Sequence, residues 1–246
     1  MIKNINHIRY KRLIFSVNEY FLTDKIENTA DIIYCIQSPK NYAHVLNEFY
    51  TLLIDLSQSQ DRIRETIYHR TVSEINSFIG NQNFEHKVIF NLPEKELKNF
   101  MDLFDAFASK KNIRLAERFR LKAYNKNGIL AISYIKQENK FIYINFYRVT
   151  KERATNLSSF QTDQTPGINS SNSGKAHRAL HWLDILEFKK LDVKFYDFGG
   201  WYEGQSDKVL LNINAFKEQF TKLKVQEYTG VIYKNLLLKI IATCKR

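Results

Sequence analysis

Hydrophobic residues fall into short runs and helical repeats that alternate along the chain. The branched and aromatic runs at 13–17 and 31–36 predict strands. Between about 42 and 56, apolar residues recur every three or four positions, which predicts a helix. A further apolar run near 86–92 predicts another strand. The N-terminal third is therefore expected to mix strands and helices.

The middle of the chain carries clearer signals. Pro93, followed by Glu94 and Glu96, is typical of the first turn of a helix. The apolar positions expected to face inward from this helix are Leu97, Phe100, Met101, Phe104 and Phe107. A second helix is predicted at about 113–125, before Gly128. The segments 129–136 and 141–149 are rich in β-forming residues and are joined by a polar turn, so they predict a hairpin.

The C-terminal part begins with a polar stretch, 155–175, which predicts a long loop. The elements predicted after it are a helix at 175–190, a strand at 193–197, a turn at 198–200, a short helix at 212–220 and a strand at 225–228, before a closing segment at 231–243. Strands and helices alternate throughout, so the predicted class is α/β.

Composition sets the kind of protein. The 246 residues include 37 Lys and Arg against 26 Asp and Glu, a net charge of +11, with 44% hydrophobic residues. These values exclude a disordered, collagen-like or coiled-coil chain. Cys35 and Cys244 are too few for a disulfide framework, and no run approaches the roughly 18 apolar residues of a membrane span. We expect a soluble cytoplasmic protein with an anionic partner.

Glycines mark the candidate site. Five of the eight glycines, and both tryptophans, lie between Gly167 and Gly204. Glycine allows sharp turns and a close approach of backbone to ligand. Within this region, the stretch 171–176 combines small residues with a predicted helix N-terminus, which favours a phosphate or pyrophosphate, and Lys175 and Arg178 add charge. An ordinary helix cap by Ser173 explains the same pattern.

His177, His181 and Asp184 follow at i, i+4 and i+7 on the predicted helix, so they share one polar stripe. Two histidines one turn apart suit zinc, but the glutamate of the H-E-x-x-H arrangement and a third ligand are absent from the sequence, so we expect no metal. Proton transfer by a histidine and a purely structural role are the other interpretations.

At Tyr196-Asp-Phe-Gly-Gly200, after a helix with Ala-His-Arg-Ala-Leu-His-Trp and before Asn214-Ala-Phe-Lys-Glu-Gln-Phe220, the chain resembles a known family. It is similar to the C-terminal half of GNAT-fold acyltransferases of the Fem-like branch, over about 140–232. That branch includes peptidoglycan-bridge aminoacyltransferases and smaller relatives found with surface-polysaccharide pathways. The resemblance implies a mixed, mostly antiparallel central sheet flanked by helices, in a GNAT-like domain at 81–246. Residues 1–80 are expected to form an N-terminal α/β extension, packed on that domain or part of it.

The resemblance also implies roles for particular residues. In GNAT folds the acyl donor lies along a strand that splays away from its neighbour, here expected to be 141–149, and its pyrophosphate rests on the loop and helix start at 171–178. The family's acyl-CoA motif has Gln or Arg first, whereas this chain has Ser171 there, followed by Gly174 and Ala176. Lys217 corresponds to the lysine that stabilises the developing oxyanion. The alternative for Lys217 is a surface position on an amphipathic helix that buries Ile213, Phe216 and Phe220.

The complete set of candidate residues follows from these arguments. The catalytic candidates are His177 or His181 as base, Lys217 for the oxyanion and Asp197 for site architecture. The donor-binding candidates are Ser171, Asn172, Ser173, Gly174, Lys175, Ala176 and Arg178. The acceptor-binding candidates are Tyr147, Arg148, Gly199, Gly200 and Trp201.

The predicted function is transfer of an acyl group, most simply acetyl from acetyl-CoA, to an amine or hydroxyl of an amino-sugar, nucleotide-sugar or lipid-linked sugar precursor. A Fem-type transferase that uses aminoacyl-tRNA is the main alternative, and the +11 charge suits an RNA partner. A basic nucleic-acid-binding module is the non-enzymatic alternative. It would expose aromatic residues for stacking, whereas the aromatic residues here lie mainly at apolar-periodic positions. The sequence does not indicate an oligomeric state.

Overall fold

The computed structural model describes residues 2–27, 29–41, 46–81, 83–162 and 170–234. The strands of these residues are β1 (His7–Arg12), β2 (Phe15–Phe21), β3 (Ile32–Ser38), β4 (Asn47–Asp55), β5 (Glu85–Phe90), β6 (Leu130–Gln137), β7 (Lys140–Val149), β8 (Arg153–Gln161), β9 (Phe195–Trp201) and β10 (Leu223–Tyr233). The helices are α1 (Gln60–Glu65), α2 (His69–Asn81), α3 (Glu94–Lys111), α4 (Arg118–Lys126), α5 (Ser170–Lys190) and α6 (Lys208–Lys217).

The chain divides into two compact units, each made of several segments. Unit 1 comprises Met1–Asn4, Leu52–Gly199 and Gly204–Leu223. Unit 2 comprises Ile5–Thr51, Gly200–Glu203 and Lys224–Arg246. Residue 80, where the sequence suggested a boundary, lies inside unit 1.

Unit 1 contains a sheet in the order β9-β8-β7-β6-β5. Its ladders are antiparallel from β5 to β8, whereas β8 and β9 are parallel. The β6–β7 hairpin turns at Glu138 and Asn139, both with positive φ, as a type I′ two-residue turn requires. Helix α3 begins after Pro93 with acidic residues in its first turn and ends at Asn112 in the left-handed conformation.

Successive residues of a strand point to opposite faces, and this alternation sorts the helices of unit 1. Tyr147 on β7 contacts Asp184 of α5, and the neighbouring Phe146 contacts Phe104 of α3. Helix α5 also packs against α2. The sheet of unit 1 therefore carries α5 on one face and α3 on the other.

Unit 2 contains strands in the order β1-β2-β3-β10. The β1–β2 and β3–β10 ladders are antiparallel, and β2–β3 is parallel. Its buried cluster includes Tyr20, Ile33 and the free Cys35. Burial raises the pKa of the Cys35 thiol to about 11.

The predicted fold class, a mixed α/β fold with mostly antiparallel strands flanked by helices, is confirmed. The helix predicted at 42–56 is wrong: Asn47–Asp55 forms β4, and 42–45 lie outside the described residues. Leu52, Leu53 and Ile54 are buried in succession, as in a strand covered on both faces, and such a run also matches helical spacing.

Three further boundaries differ from prediction. Helix α4 begins at Arg118 rather than near 113, and the apolar residues Ile113 and Leu115, which were counted in the predicted helix, lie exposed before it. The stretch predicted as a loop at 155–175 contains most of β8 and the start of α5, and 163–169 lie outside the described residues. The turn predicted at 198–200 belongs to β9. Of the closing segment, residues after 234 are likewise outside the described part of the chain.

Among the described residues, no helix combines the length and apolar character needed to cross a bilayer.

Candidate active site

Helix α5 organises the candidate site in unit 1. Its apolar residues Ala176, Ala179 and Leu180 pack into a cluster with Phe78 and Ile135. Residues one turn apart share a helix face, so the polar residues of α5 form a stripe beside these apolar residues and meet the same face of the sheet. His181 and Asp184 are buried there, and His177 is partly exposed.

Asp184 is fully buried and accepts hydrogen bonds from several strands. Its Oδ2 accepts from the Ser133 hydroxyl at 2.6 Å, from Asn145 Nδ2 at 3.0 Å and from the Tyr147 hydroxyl at 2.7 Å. Its Oδ1 lies 2.8 Å from His86 Nε2 on β5. Four partners satisfy the lone pairs of a buried carboxylate, which would otherwise be costly to bury.

A continuous line of hydrogen bonds leads from Asp184 to the histidines. The hydroxyls of Tyr147 and Tyr196 are 2.7 Å apart, and the Tyr196 hydroxyl lies 2.5 Å from His181 Nδ1. The two histidines meet through their Nε2 atoms, 3.1 Å apart. We call His177, His181, Tyr196, Tyr147 and Asp184 the polar chain.

The His177 ring is held between two aromatic rings. It stacks on Tyr143 with centroids 4.5 Å apart and on Phe216 with centroids 4.4 Å apart. Its Nε2 also lies 2.7 Å from Ser159 Oγ on β8. Burial, assisted by the charge of Arg178, lowers the pKa of His177 to about 3. The imidazole is therefore neutral near pH 7.

His181 is also neutral near pH 7. Burial lowers its pKa well below the ordinary value, and a positive charge on His177 or on Lys217 acts in the same direction. The rings of Phe198, Phe216 and Phe220 surround it.

Lys217 is buried at the C-terminal end of α6, with 8% of its surface exposed. Its Nζ donates a hydrogen bond to the Gly199 carbonyl oxygen at 3.1 Å. Burial lowers the pKa of Lys217 to about 8, although Asp197 opposes this shift. Of the residues that the surface alternative expects to be buried, Phe220 is buried and Phe216 half-buried, but Ile213 is 44% exposed while Lys217 itself is buried. The surface alternative for Lys217 is wrong.

Asp197 supports the backbone that faces Lys217. Its Oδ1 accepts from the Gly199 amide at 2.7 Å, and its Oδ2 lies 3.3 Å from Thr155 Oγ1 and from Arg153 Nη1. Gly199 has a φ of 72°, and a Cβ there would lie 2.6 Å from the Asn156 carbonyl oxygen. Only glycine satisfies both constraints.

The parallel ladder between β8 and β9 is short. It pairs Arg153 with Phe195 through to Thr155 with Asp197, and beyond these residues the described strands run on without continuing it. The β7–β8 register shifts between Phe146 and Tyr147, which places a bulge in β8 just past this point. The strand that loses its parallel neighbour, as the donor strand was expected to do, is therefore β8. The predicted donor strand at 141–149 instead stays paired with β8 as far as Tyr143.

The predicted phosphate junction lies inside a helix. Helix α5 begins at Ser170, so Gly174 and the residues after it are beyond the first turn. Ser173 is buried and its Oγ lies 3.1 Å from the Tyr143 hydroxyl, and Ala176 belongs to the apolar cluster. The Ser171 side chain lies outside the described part of the chain.

The two basic residues of that junction contact other parts of unit 1. Lys175 Nζ lies 3.4 Å from Ser77 Oγ on α2. Arg178 Nε lies 3.1 Å from Glu74 Oε2 and 2.9 Å from Gln219 Oε1, and its Nη1 donates to the Gly174 carbonyl. The charge of Arg178 is thus paired with a carboxylate, and Lys175 contacts a neutral hydroxyl.

The predicted acceptor residues are distributed between the two units. Tyr147 and Arg148 are buried inside unit 1, so neither presents its side chain to solvent. Gly200 and Trp201 belong to unit 2, where Lys224 Nζ lies 5.3 Å from the centre of the Trp201 ring.

Sequence reasoning missed several members of this hydrogen-bonded network: Tyr196 as a hydrogen-bonding group, and Asn145, Ser133 and His86 as partners of Asp184. Polar residues at alternate positions of the predicted strand 141–149 were the available signal. On a strand, such positions share one face, which here meets the polar stripe of α5. No three His, Cys, Asp or Glu side chains among the described residues are grouped as metal ligands would be.

Several solved structures share the fold. FemX matches 80% of this chain and 64% of its own, at 9% identity and a TM-score of 0.57. L-PGS from Bacillus licheniformis matches 87% of this chain and 71% of its own, at 12% identity and a TM-score of 0.53. The C-terminal domain of a candidate lysylphosphatidylglycerol synthetase from Agrobacterium fabrum matches 87% and 70%, at 16% identity and a TM-score of 0.52.

No protein-family model matches the sequence, and no curated protein matches it. At these low identities the structural likeness shows the fold alone. The Fem-like resemblance inferred from the segments around 196–220 is thus supported at the level of fold, and the chain spans about 64% of the length of FemX.

Proposed function

We propose that this protein is an acyltransferase. It moves an acyl group, most simply acetyl from acetyl-CoA, to an amine or hydroxyl of a sugar precursor of a cell-surface polysaccharide. The observation that carries this proposal is the buried Lys217 ammonium, bonded to the Gly199 carbonyl and close enough to His181 to shift its pKa. A buried cation and a neutral imidazole that responds to its charge are the two groups that direct acyl transfer needs.

In the proposed reaction the acceptor nitrogen or oxygen attacks the thioester carbonyl. A histidine takes the acceptor proton, and the carbonyl oxygen becomes negatively charged in the tetrahedral intermediate. Lys217 stabilises that charge, which the neutral ground state lacks. The intermediate then collapses, the carbon–sulfur bond breaks, and the coenzyme A thiolate leaves and is protonated.

Asp197 is proposed to act through the backbone. Its carboxylate fixes the Gly199 amide, and Gly199 in turn accepts the Lys217 hydrogen bond. The donor is proposed to lie along β8, where the β8–β9 ladder ends, with its phosphates at the first turn of α5. Because Lys175 and Arg178 are engaged with protein groups, we assign donor phosphates to backbone amides of that turn rather than to these side chains.

The test uses the purified full-length protein with acetyl-CoA and a panel of amino-sugar nucleotides, and measures release of free thiol. Acceptor-dependent thiol release that Lys217→Met suppresses would support the proposal. A protein that neither binds coenzyme A nor releases thiol with any acceptor would refute acyl-CoA-dependent transfer.

A second candidate is transfer from aminoacyl-tRNA. It is favoured by the match to FemX and by the net charge of +11, which suits an RNA donor. The same carbonyl chemistry applies, because an aminoacyl ester also forms an oxyanion. Transfer that is lost after RNase treatment, with acetyl-CoA inactive, would establish this candidate over the first.

A further inference from the structure

The polar chain contains enough hydrogen-bonding constraints to assign its protons. Asp184, as a carboxylate, has only acceptors, so the Tyr147 hydroxyl donates to it. A tyrosine has one proton. The contact between Tyr147 and Tyr196 must therefore be filled by the Tyr196 proton.

The protons of the two histidines can be assigned in the same way. Since the Tyr196 proton points to Tyr147, the contact of 2.5 Å between Tyr196 and His181 must be filled by a hydrogen on His181 Nδ1. Neutral His181 then carries a lone pair on Nε2. His177 Nε2 lies 3.1 Å from that lone pair, so it carries the hydrogen between them.

The alternative proton pattern conflicts with this network. If His177 Nε2 were bare and accepted from Ser159, two nitrogen lone pairs would face each other across 3.1 Å, unless His181 carried hydrogens on both nitrogens. A doubly protonated His181 is positively charged, and its burial disfavours that state. In the consistent pattern, Ser159 Oγ shares the His177 Nε2 hydrogen.

We propose that His177, through its Nδ1 atom, is the base of the acyl transfer. We further propose that Asp184, Tyr147, Tyr196 and His181 are positioning residues that set its tautomer. This inference rests on the proposed function for the base role, although the proton assignment itself does not. His177 is the partly exposed end of the polar chain, whereas the other four members are buried.

The hydrogen bonds of the polar chain also stabilise the positive charge that forms on His177 during the reaction. When Nδ1 takes the acceptor proton, His177 becomes an imidazolium whose Nε2 hydrogen still points to the His181 lone pair. Every donor along the polar chain points toward the carboxylate, so each bond is polarised in the direction that stabilises a cation at His177. A base of low pKa is then sufficient if its proton comes from an acceptor nitrogen made acidic by attack.

The first experiment measures the tautomers directly in the unmodified protein. Two-bond nitrogen–proton NMR of 15N-histidine-labelled full-length protein at pH 7.5 distinguishes Nδ1–H from Nε2–H rings, with His177→Gln and His181→Gln spectra used for assignment. We expect His181 as Nδ1–H and His177 as Nε2–H. His181 as Nε2–H would overturn the inference without any assumption about activity.

The second experiment breaks the polar chain at Tyr196. Tyr196→Phe removes the acceptor of His181 Nδ1–H, so we expect His181 to shift toward Nε2–H and kcat to fall about 10- to 100-fold with KM little changed. Tyr134→Phe is the matched control, because Tyr134 is a buried tyrosine outside the polar chain whose hydroxyl lies 3.3 Å from Glu85 Oε1.

Unchanged tautomers or unchanged kcat in Tyr196→Phe would overturn the positioning role. The expected wild-type tautomers in a protein that transfers no acyl group would instead overturn the base role together with the proposed function, and would leave the proton assignment standing.

Discussion

The two faces of strand β7 in unit 1 have opposite chemistry. On one face Asn145 and Tyr147 bond to Asp184 of α5. On the other, Phe146 packs with Phe160 and Phe104, with ring centroids 5.6 and 6.0 Å from its own. Both faces are buried, and around Phe146 the second face is lined by aromatic rings, with Arg148 buried on the same face near the end of the strand.

The difference separates stability from chemistry. Apolar burial is non-directional and tolerates small displacements, so the aromatic face is suited to hold the sheet against α3. A buried polar group needs partners at defined distances, since each unmade hydrogen bond is costly. The α5 face therefore specifies where protons lie, and the α3 face holds the sheet against its helix.

The largest expected effect is on stability, from the aromatic face. Phe160→Ala removes a side chain that is 1% exposed and should lower the free energy of unfolding by about 3–5 kcal/mol. Urea unfolding followed by circular dichroism measures this loss. Phe119→Ala, at a phenylalanine that is 50% exposed, is the control and should change stability little. Equal effects in both variants would contradict the assigned support role.

The next largest effect is expected on turnover, from a substitution in the candidate active site. Lys217→Met should lower turnover by about 10²–10³ with donor affinity nearly unchanged, because the ammonium is needed mainly once the oxyanion forms. Steady-state kinetics and calorimetric titration of the donor separate the two terms. Lys222→Met removes an exposed lysine that pairs with Glu218, and it should retain activity. Near-normal turnover of Lys217→Met would exclude the oxyanion role.

A smaller effect is expected at Gly199, whose carbonyl oxygen accepts the hydrogen bond from Lys217. Gly199→Ala introduces a Cβ into a left-handed residue 2.6 Å from the Asn156 oxygen, and it should destabilise the fold by about 1–3 kcal/mol. Gly80→Ala is the matched control: a Cβ there meets nothing within 4 Å, and helix propensity should stabilise the protein by up to about 1 kcal/mol. Thermal unfolding of both variants should therefore shift in opposite directions, and a shared direction would contradict this reading.

The last prediction concerns pH, where the expected change in the free energy of unfolding is small for each pH unit. The pKa of His177 is about 3 in the folded state and near 6.5 when unfolded. Below pH 6.5 the unfolded state binds a proton that the folded state does not, so stability falls on acidification by about 1.4 kcal/mol per pH unit until pH 3.

His177→Phe removes this contribution. Urea unfolding between pH 8 and pH 4 should show a shallower acid loss in the variant, with pH 8 as the internal reference, where neither form is charged. An identical acid slope in both proteins would show that His177 is not held neutral by burial.

Local patterns predicted the elements whose signals are strong over several residues. The hairpin of β6 and β7, the start of α3 after Pro93 and the strand β3 were predicted close to their observed bounds. Helical and strand periods cannot be told apart in a short, fully apolar run, which is why β4 was predicted as a helix. Helix α2 was not predicted.

The candidate site was predicted in part. The stripe of His177, His181 and Asp184 follows from helical spacing alone. The burial of Lys217 does not, because the apolar spacing favoured an inward face of Ile213, Phe216 and Phe220, whereas the structure buries Lys217 together with Phe220 and exposes Ile213. The predicted phosphate junction depended on where α5 begins, and helix ends are the least determined feature of a sequence pattern.

The sequence by itself determined which residues share a helix face or strand face, because that depends only on the repeat of the backbone. It therefore placed two histidines and an aspartate on one stripe, and polar residues at alternate positions of β7. Only the tertiary structure decided that these two sets meet, and that Tyr196 of β9 joins Asp184, through Tyr147, to His181. Those contacts join residues up to 49 positions apart. Local periodicity does not encode such distances, since they are fixed by how the strands pair and how α5 packs on them.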